Sequence, residues 1–124
     1  MSNSNTNVSI VNVTVVNSQT VNLSYSTGTN PPANNNGNVP EVDGQGAATV
    51  TYSSGVAGWS VCGYVVNGSV PSDMSISTVG NSVVIHDAAT ATMQEQLDFR
   101  IQVKDSHGHV YTSPDPAVVN EPPM

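Results

Sequence analysis

Positively charged residues are scarce in this sequence of 124 residues, which contains two Lys and Arg residues, nine Asp and Glu residues and a formal net charge of −7. The two cations are Arg100 and Lys104. Phosphate binding requires clustered Lys and Arg side chains, and attraction to anionic lipid surfaces requires them too. We therefore expect no nucleic-acid partner and no membrane partner.

Cysteine is scarce as well. Cys62 is the single Cys of the chain, so an intramolecular disulfide is excluded. It lies in the segment 59–64, where we interpret it as a buried structural thiol rather than a nucleophile. No His partner for a thiol nucleophile is evident in the sequence.

Long apolar runs are missing. No segment approaches the roughly 20 apolar residues that cross a bilayer as a helix. Residues 1–7 have neither the basic region nor the apolar region of a signal peptide. We expect a cytoplasmic location, with export by a route that needs no signal peptide as the alternative.

The composition is polar without being highly charged. Hydrophobic residues make up 37% of the chain, aromatic residues 5% and charged residues 9%, and Asn, Ser, Thr and Gly supply much of the remainder. This is not the high-charge composition of a disordered chain. A chain of 124 residues is typical of one domain. We predict a single domain over 1–124, with 1–7 as a flexible N-terminus.

Short segments rich in Val and Thr, separated by Gly, Asn and Pro, predict an all-β domain. Turn signals recur roughly every 10 residues, as in a sandwich of about seven to nine strands. We predict an immunoglobulin-like antiparallel β-sandwich, with a barrel as the alternative. The predicted strands cover 8–16, 21–25, 47–53, 59–66, 75–79, 82–86, 97–104, 109–113 and 117–119, and 27–43 is predicted to be a polar loop.

Alternation with a period of two indicates which side chains form the core. It is clearest over 97–104, where apolar and polar residues alternate without interruption. The side chains predicted to be buried are Val11, Val13, Trp59, Val61, Val65, Leu97, Phe99, Ile101 and Val103.

The C-terminal segment 113–123 contains Asp115-Pro116 and, six residues later, Glu121-Pro122. Proline has no backbone N–H and a fixed φ, so these dipeptides delimit a short strand at 117–119. An Asp-Pro bond is also chemically labile. The Asp carboxyl can attack its own backbone carbonyl and close a five-membered anhydride, and the basic proline nitrogen leaves readily once protonated. Without further support, the dipeptide would be read as a turn at a strand end.

These two dipeptides at the end of a small all-β chain resemble the DP-EP family of bacterial proteins, which is named for them. The segments 97–105 and 111–114 are compatible with that family, and the resemblance covers the last quarter of the chain. It implies a β-sandwich that cleaves its own chain between Asp115 and Pro116, as a self-processing aspartic-type endopeptidase. The segment 116–124 would then be released, or retained as a partner of the remaining chain.

The polar face of the strand 97–104 is the candidate catalytic surface. Same-face residues are about 7 Å apart along a strand, so Asp98 and Arg100 are neighbours. If 109–113 pairs with this strand, the Asp115-Pro116 bond runs back toward them. Asp98 would share a proton with Asp115 or activate water, and Arg100 would stabilise an oxyanion or an ionised carboxylate. The alternative is a solvated face of weak ion pairs.

Two further candidates extend this site. Glu121 is the alternative second carboxylate, because the spacing of the two dipeptides would return it to the same neighbourhood. Lys104 is the alternative acyl acceptor, because an amine that captured the anhydride would form an isopeptide bond.

Metal binding is disfavoured. His107 and His109 flank a glycine, and His86 precedes an Asp, but the spacing matches no zinc motif. We expect no metal and no cofactor.

The alternative function is a non-catalytic immunoglobulin-like binding or structural module, open to self-association, in which the Asp-Pro and Glu-Pro dipeptides end edge strands.

Overall fold

The computed structural model describes residues 4–26, 48–88, 95–114 and 117–121, and the surroundings of side chains within 7–26, 48–88 and 96–114. All named elements in these ranges are strands, which confirms the all-β prediction. The described part contains no helix long and apolar enough to cross a membrane. The strands are β1 (Ser4–Val15), β2 (Val21–Ser26), β3 (Ala48–Ser54), β4 (Ser60–Asn67), β5 (Met74–Val79), β6 (Ser82–Asp87), β7 (Glu95–Lys104), β8 (Val110–Thr112) and β9 (Ala117–Glu121).

The boundaries of these strands lie within a few residues of the predicted ones for most elements. The first strand starts four residues earlier than its predicted start at residue 8. The last runs to Glu121, beyond its predicted end at residue 119. The predicted loop 27–43 lies outside the described residues, as do residues 1–3 of the predicted flexible N-terminus. Residues 4–7 of that terminus belong to β1.

The strands form two sheets of a β-sandwich. One sheet has the order β2-β1-β3-β6-β5, and the other has the order β4-β7-β8 with β9 also paired to β7. The pairs are antiparallel except for β1 and β3, which are parallel. The predicted β-sandwich is therefore present, and it includes one parallel pair that the sequence did not indicate. Parallel pairing needs a long connection, and the chain between β1 and β3 provides one.

Hydrogen bonds join the two sheets near both edges. At one edge Thr20 bridges Thr112 of β8, and the Thr112 N–H donates to the Gln19 carbonyl at 2.9 Å. Near the other, the Tyr64 hydroxyl of β4 donates to the Ile76 carbonyl of β5 at 3.1 Å. These contacts tie strands of different sheets together without a disulfide.

The core lies between the sheets and contains a row of aromatic rings. Tyr52 contacts Tyr25 at a centroid distance of 6.2 Å and Phe99 at 5.2 Å, both edge to face. Burial raises the pKa of Tyr52 well above its ordinary value. Since Tyr52 belongs to β3 and Phe99 to β7, this row connects the two sheets. The fully buried side chains include Val8, Ile10, Val21, Val50, Tyr52, Val61, Ile85, Leu97, Phe99 and Ile101.

The predicted core is correct over β7, where Leu97, Phe99, Ile101 and Val103 are all fully buried. It is wrong in β1, where Val11 is 53% exposed. The register between β1 and β2 shifts between Ile10 and Asn12. An extra residue in one strand reverses the alternation of its side chains. The core residues before the shift are therefore Val8 and Ile10, while Val13 beyond it is only partly buried.

A second irregularity changes β4. Val61 is buried as predicted, but Val65 is 43% exposed, and Trp59 is only partly buried. The register between β4 and β7 shifts between Val61 and Gly63. Beyond the shift Tyr64 and Val66 pack against the core in place of Val65. The errors at Val11 and Val65 therefore have the same physical cause, a shift of register within the strand.

Candidate functional site

The polar face of β7 lies on the outside of the sandwich, because the intervening side chains are buried in the core. Its four residues are Asp98, Arg100, Gln102 and Lys104. On the neighbouring strand β4, Asn67 pairs with Asp98, Val65 with Arg100 and Gly63 with Gln102. The predicted face is therefore present, and it has β4 along one side.

The other edge of β7 is shared by β8 and β9. The β8 ladder runs from Lys104 to Gln102, which pairs with Thr112, and the β9 ladder begins where Phe99 pairs with Ala117. Between these pairs the chain has four residues, 113–116, and β7 has two. The chain therefore has two residues more than β7 between these pairs, and we call this shift of register the interruption of the ladder. This confirms that the returning strand pairs with β7 and that a strand follows the Asp-Pro dipeptide.

Asp115 and Pro116 themselves lie outside the described residues. The chain on either side of them is fixed on β7. On the N-terminal side, Ser113 is buried and its N–H donates to the Ile101 carbonyl at 3.0 Å. On the C-terminal side, Ala117 begins β9. Both flanks of the dipeptide are thus held by the strand that carries Arg100.

Gln102 positions the start of this interruption. Its Nε2 donates to Thr112 Oγ1 at 3.3 Å. On the other edge of β7, Gln102 lies opposite Gly63 of β4. A Cβ on Gly63 would approach Gln102 Oε1 to 2.7 Å, which is below normal contact. Gly63 therefore leaves the room that the Gln102 side chain needs to reach β8.

Arg100 is the unusual member of the polar face. Its side chain is half-buried, and its Nε is buried without a hydrogen-bond partner among the residues that the structure describes. Buried polar groups are normally satisfied, so such an atom calls for an explanation. The guanidinium has five N–H donors in a fixed planar arrangement. Arg100 can therefore offer donors to a carboxylate or an oxyanion at the interruption of the ladder.

Asp98 and Glu121 differ in their distance from the interruption. Asp98 is half-buried, accepts a hydrogen bond from Gln96 Nε2 at 2.7 Å, and lies two positions along β7 from Arg100. Glu121 pairs with Glu95, five positions from Arg100, which corresponds to about 17 Å along the strand. The backbone register therefore favours Asp98 as the second carboxylate.

Lys104 stands at the far end of the same face. It is exposed and four positions from Arg100, which corresponds to about 13 Å along β7.

Burial raises the pKa of the nearby Cys62 thiol, and the positive charge of Lys104 partly opposes that shift. Cys62 is half-buried rather than buried as predicted. A thiol with a raised pKa is a poor nucleophile at neutral pH.

Two of the three histidines have structural contacts through their rings. His109 Nε2 lies 2.5 Å from the Ser18 carbonyl, and its ring contacts Tyr111 at a centroid distance of 4.6 Å. His86 Nδ1 lies 3.2 Å from Thr49 Oγ1. Within the described ranges, no group of three or more His, Cys, Asp or Glu side chains could hold a metal ion.

The Asp105 side chain orders the turn between β7 and β8. Asp105 Oδ1 accepts hydrogen bonds from the N–H of His107 at 2.9 Å and of His109 at 3.0 Å. The bond from His109 is the main cause that lowers the pKa of Asp105, and partial desolvation opposes it. The motif indicates that the ionised form of Asp105 stabilises the turn that leads into β8.

We expect Asp105 to make stability depend on pH. Because its pKa is lower in the folded chain, its contribution is complete above the ordinary Asp pKa of about 3.9 and is lost as pH falls through the folded value. The thermal midpoint of Asp105→Ala should therefore lie below that of wild type at pH 7. The difference should shrink between about pH 4 and pH 2. A difference that stays constant over this range would contradict the assignment.

A concavity that the sequence did not indicate lies on the other sheet. It is an open cleft of about 400 Å³ at the end of β6, and Asp87 in it is only 1% exposed. No recognised spacing links its residues, so no sequence signal could have found it. It is lined by Ala48, Thr49, Ser72, Asp73, Met74, Ser75, His86, Asp87 and Ala88.

Comparison with protein-family models gives no match for this chain, and comparison with curated proteins gives none either. The similarity to the DP-EP family therefore rests on the residues quoted for it, above all the two dipeptides around β9.

Proposed function

We propose that this protein is a self-processing aspartic-type endopeptidase that hydrolyses its own Asp115–Pro116 bond, within an immunoglobulin-like sandwich of the DP-EP type. The main support is the interruption of the ladder between β8 and β9. The dipeptide belongs to the four residues that connect Thr112 and Ala117, and both of these are anchored on β7. Anchoring of both flanks on one strand favours an intramolecular reaction of the bond between them.

The reaction needs no group from outside the chain except water. A carboxylate oxygen of Asp115 attacks the backbone carbonyl carbon of the same residue, and a C–O bond forms as the C–N bond to Pro116 breaks. The Pro116 nitrogen takes up a proton and leaves as a secondary amine. Water then opens the cyclic anhydride, which leaves two carboxyl groups on Asp115 as the new C-terminus.

Arg100 is proposed to stabilise the negative charge that develops on the attacked carbonyl oxygen. Its buried Nε has no hydrogen-bond partner within the described part of the chain, and it stands opposite the interruption. Donors aimed at a developing oxyanion lower the barrier most when they are already fixed in position. Arg100 is half-buried, so part of the desolvation that strengthens such a donor is already present.

Asp98 is proposed to deliver the proton to Pro116 or to position the water. It lies on the same face as Arg100 and within the part of β7 that pairs with β9. Its hydrogen bond to Gln96 restrains the carboxylate. Lys104 is the alternative acceptor for the anhydride, but its position about 13 Å along the strand favours water over isopeptide formation.

Intact-mass spectrometry tests this proposal directly. Freshly purified protein, held for days at pH 5 and at pH 7, should accumulate two species that correspond to 1–115 and 116–124. Arg100→Ala should cleave more slowly, by roughly a hundredfold if it removes an oxyanion donor. Lys104→Ala is the matched control, because it also removes a cation from β7 and should cleave at the wild-type rate. Wild-type protein that remains intact at both pH values would refute the proposal.

One observation favours the non-catalytic alternative. β9 includes Glu121, and the sequence has Pro122 directly after it, as expected if the second dipeptide serves only to terminate an edge strand. The protein would then be a binding or structural module, and its mass would never change. The same time course therefore separates the two functions.

A further inference from the structure

The C-terminal strand has few attachments in the fold. β9 pairs with β7 over five residues, and β7 is its sole pairing partner among the described strands. It follows a four-residue connection that contains Pro114 and Pro116. A short terminal element held by one neighbour can leave and return without disturbing the rest of a domain.

The edge of β7 that β9 covers is a complete strand-binding surface. Leu97 and Phe99 are fully buried, and they pair in register with Val119 and Ala117. An extended segment that pairs here obtains main-chain hydrogen bonds from the edge and a defined register from its alternation. If β9 leaves, this edge exposes unpaired N–H and carbonyl groups and invites another strand.

The occupant that fits this edge without any new contact is the same strand from another molecule. Residues 117–121 of a second copy have the same sequence, so they reproduce the register from Glu95–Glu121 to Phe99–Ala117. Exchange of an identical element between protomers changes few interactions beyond the connecting segment. The remaining obstacle is the repulsion between two chains of formal net charge −7, which salt reduces.

We propose that the Glu95–Phe99 edge of β7 is a strand-exchange site, which binds residues 117–121 of a second copy of this chain and produces a C-terminally exchanged dimer. The exchange needs the strand and the edge but not cleavage of the Asp115–Pro116 bond. It is therefore tested in chains that carry Asp115→Asn, where failure of exchange and failure of cleavage are separate results.

The test uses three full-length chains that also carry Cys62→Ala. The first contains Asp98→Cys, the second Val118→Cys, and the third both changes. Asp98 and Val118 are paired residues in the β7–β9 ladder. Directly opposed residues have Cα atoms about 4.5–5.5 Å apart, which suits a disulfide. In the mixture of the first two chains, this disulfide requires β9 of one molecule to pair with β7 of another.

The first two chains are incubated together at about 1 mM, near the effective concentration of a tethered strand, in moderate salt. They are then oxidised and analysed by non-reducing electrophoresis and mass spectrometry. We expect a covalent heterodimer several times more abundant than in a control mixture, in which Ser75→Cys on β5 replaces Val118→Cys. A yield equal to that control would overturn the proposal.

The chain with both cysteines keeps the test decisive. It should form an intramolecular disulfide rapidly at low concentration, which shows that it folds with β9 in register. Absence of that disulfide would overturn the pairing itself and the proposal with it. If this chain forms its intramolecular disulfide but the heterodimer is no more abundant than in the Ser75→Cys control mixture, β9 does not exchange.

Discussion

Replacement of Asp115 by Asn should stop cleavage between residues 115 and 116 and leave the fold intact. Asn has nearly the shape of Asp, but its amide is a far poorer nucleophile toward the neighbouring carbonyl and supplies no carboxyl proton. The adjacent strand β9 is held through its ladder with β7, so its position does not need the Asp115 charge. Intact mass after days at pH 5 and pH 7 should show one species for the variant and two for wild type.

Asp105→Asn is the matched control for this result. It makes the same chemical change in the turn between β7 and β8, where the Asn oxygen can still accept the bonds that Asp105 accepts. This variant should cleave at the wild-type rate. Equal nicking of wild type and Asp115→Asn would refute the anhydride mechanism.

Two weaker variants resolve the mechanism further. Pro116→Ala should slow cleavage without abolishing it, because the leaving nitrogen becomes less basic while the attacking carboxyl remains. Asp98→Asn should slow it by roughly a hundredfold or more if Asp98 moves the proton or positions water. If only Asp115→Asn has an effect, the reaction depends on the local chemistry of the dipeptide and not on the face of β7.

The sequence predicted β7 and its surroundings well because the alternation there is strict. Apolar and polar residues take turns from Leu97 to Lys104, so one register buries the first set and exposes the second. The positions of the prolines placed a strand after the Asp-Pro dipeptide, where β9 is observed. Asp98 and Arg100 were thus correctly assigned to one outer face.

The sequence failed where the backbone departs from that alternation. The shift at Ile10 in β1 and the shift after Val61 in β4 leave no mark in the hydrophobic pattern, because apolar residues occur on both sides of each. The parallel pairing of β1 and β3 depends on contacts between distant segments and has no local signal. The Arg100 Nε has no hydrogen-bond partner among the described residues, and this too becomes visible only when its neighbours are placed.

The structure makes β7 central to both stability and the candidate site. It pairs with β4 on one edge and with β8 and β9 on the other. Core residues and candidate catalytic residues alternate along this strand. A change in its buried side should therefore lower stability, while a change on its outer side should affect chemistry with little loss of stability.

We expect Phe99→Ala to have the largest effect on stability among single core changes in β7. Phe99 is fully buried, contacts Tyr52 at a centroid distance of 5.2 Å, and pairs with Val66 on β4 and Ala117 on β9. Removal of a buried Phe ring costs about 3–5 kcal/mol in free energy of unfolding. Since domains are stable by only about 5–15 kcal/mol, the variant should approach the threshold of folding. Urea unfolding followed by Trp fluorescence would measure the loss.

Val79→Ala is the control for this prediction, because Val79 is 59% exposed on β5 and its truncation should change stability by no more than about 0.5 kcal/mol. A loss below about 1 kcal/mol for Phe99→Ala would contradict the packing of the two sheets through Tyr52.

The comparison also bears on β9, since Ala117 pairs with Phe99 at the first position of that strand. If the ring supports this end of the ladder, Phe99→Ala should increase protease cleavage near the C-terminus more than Val79→Ala does. Stability and retention of the C-terminal strand would then depend on the same residue.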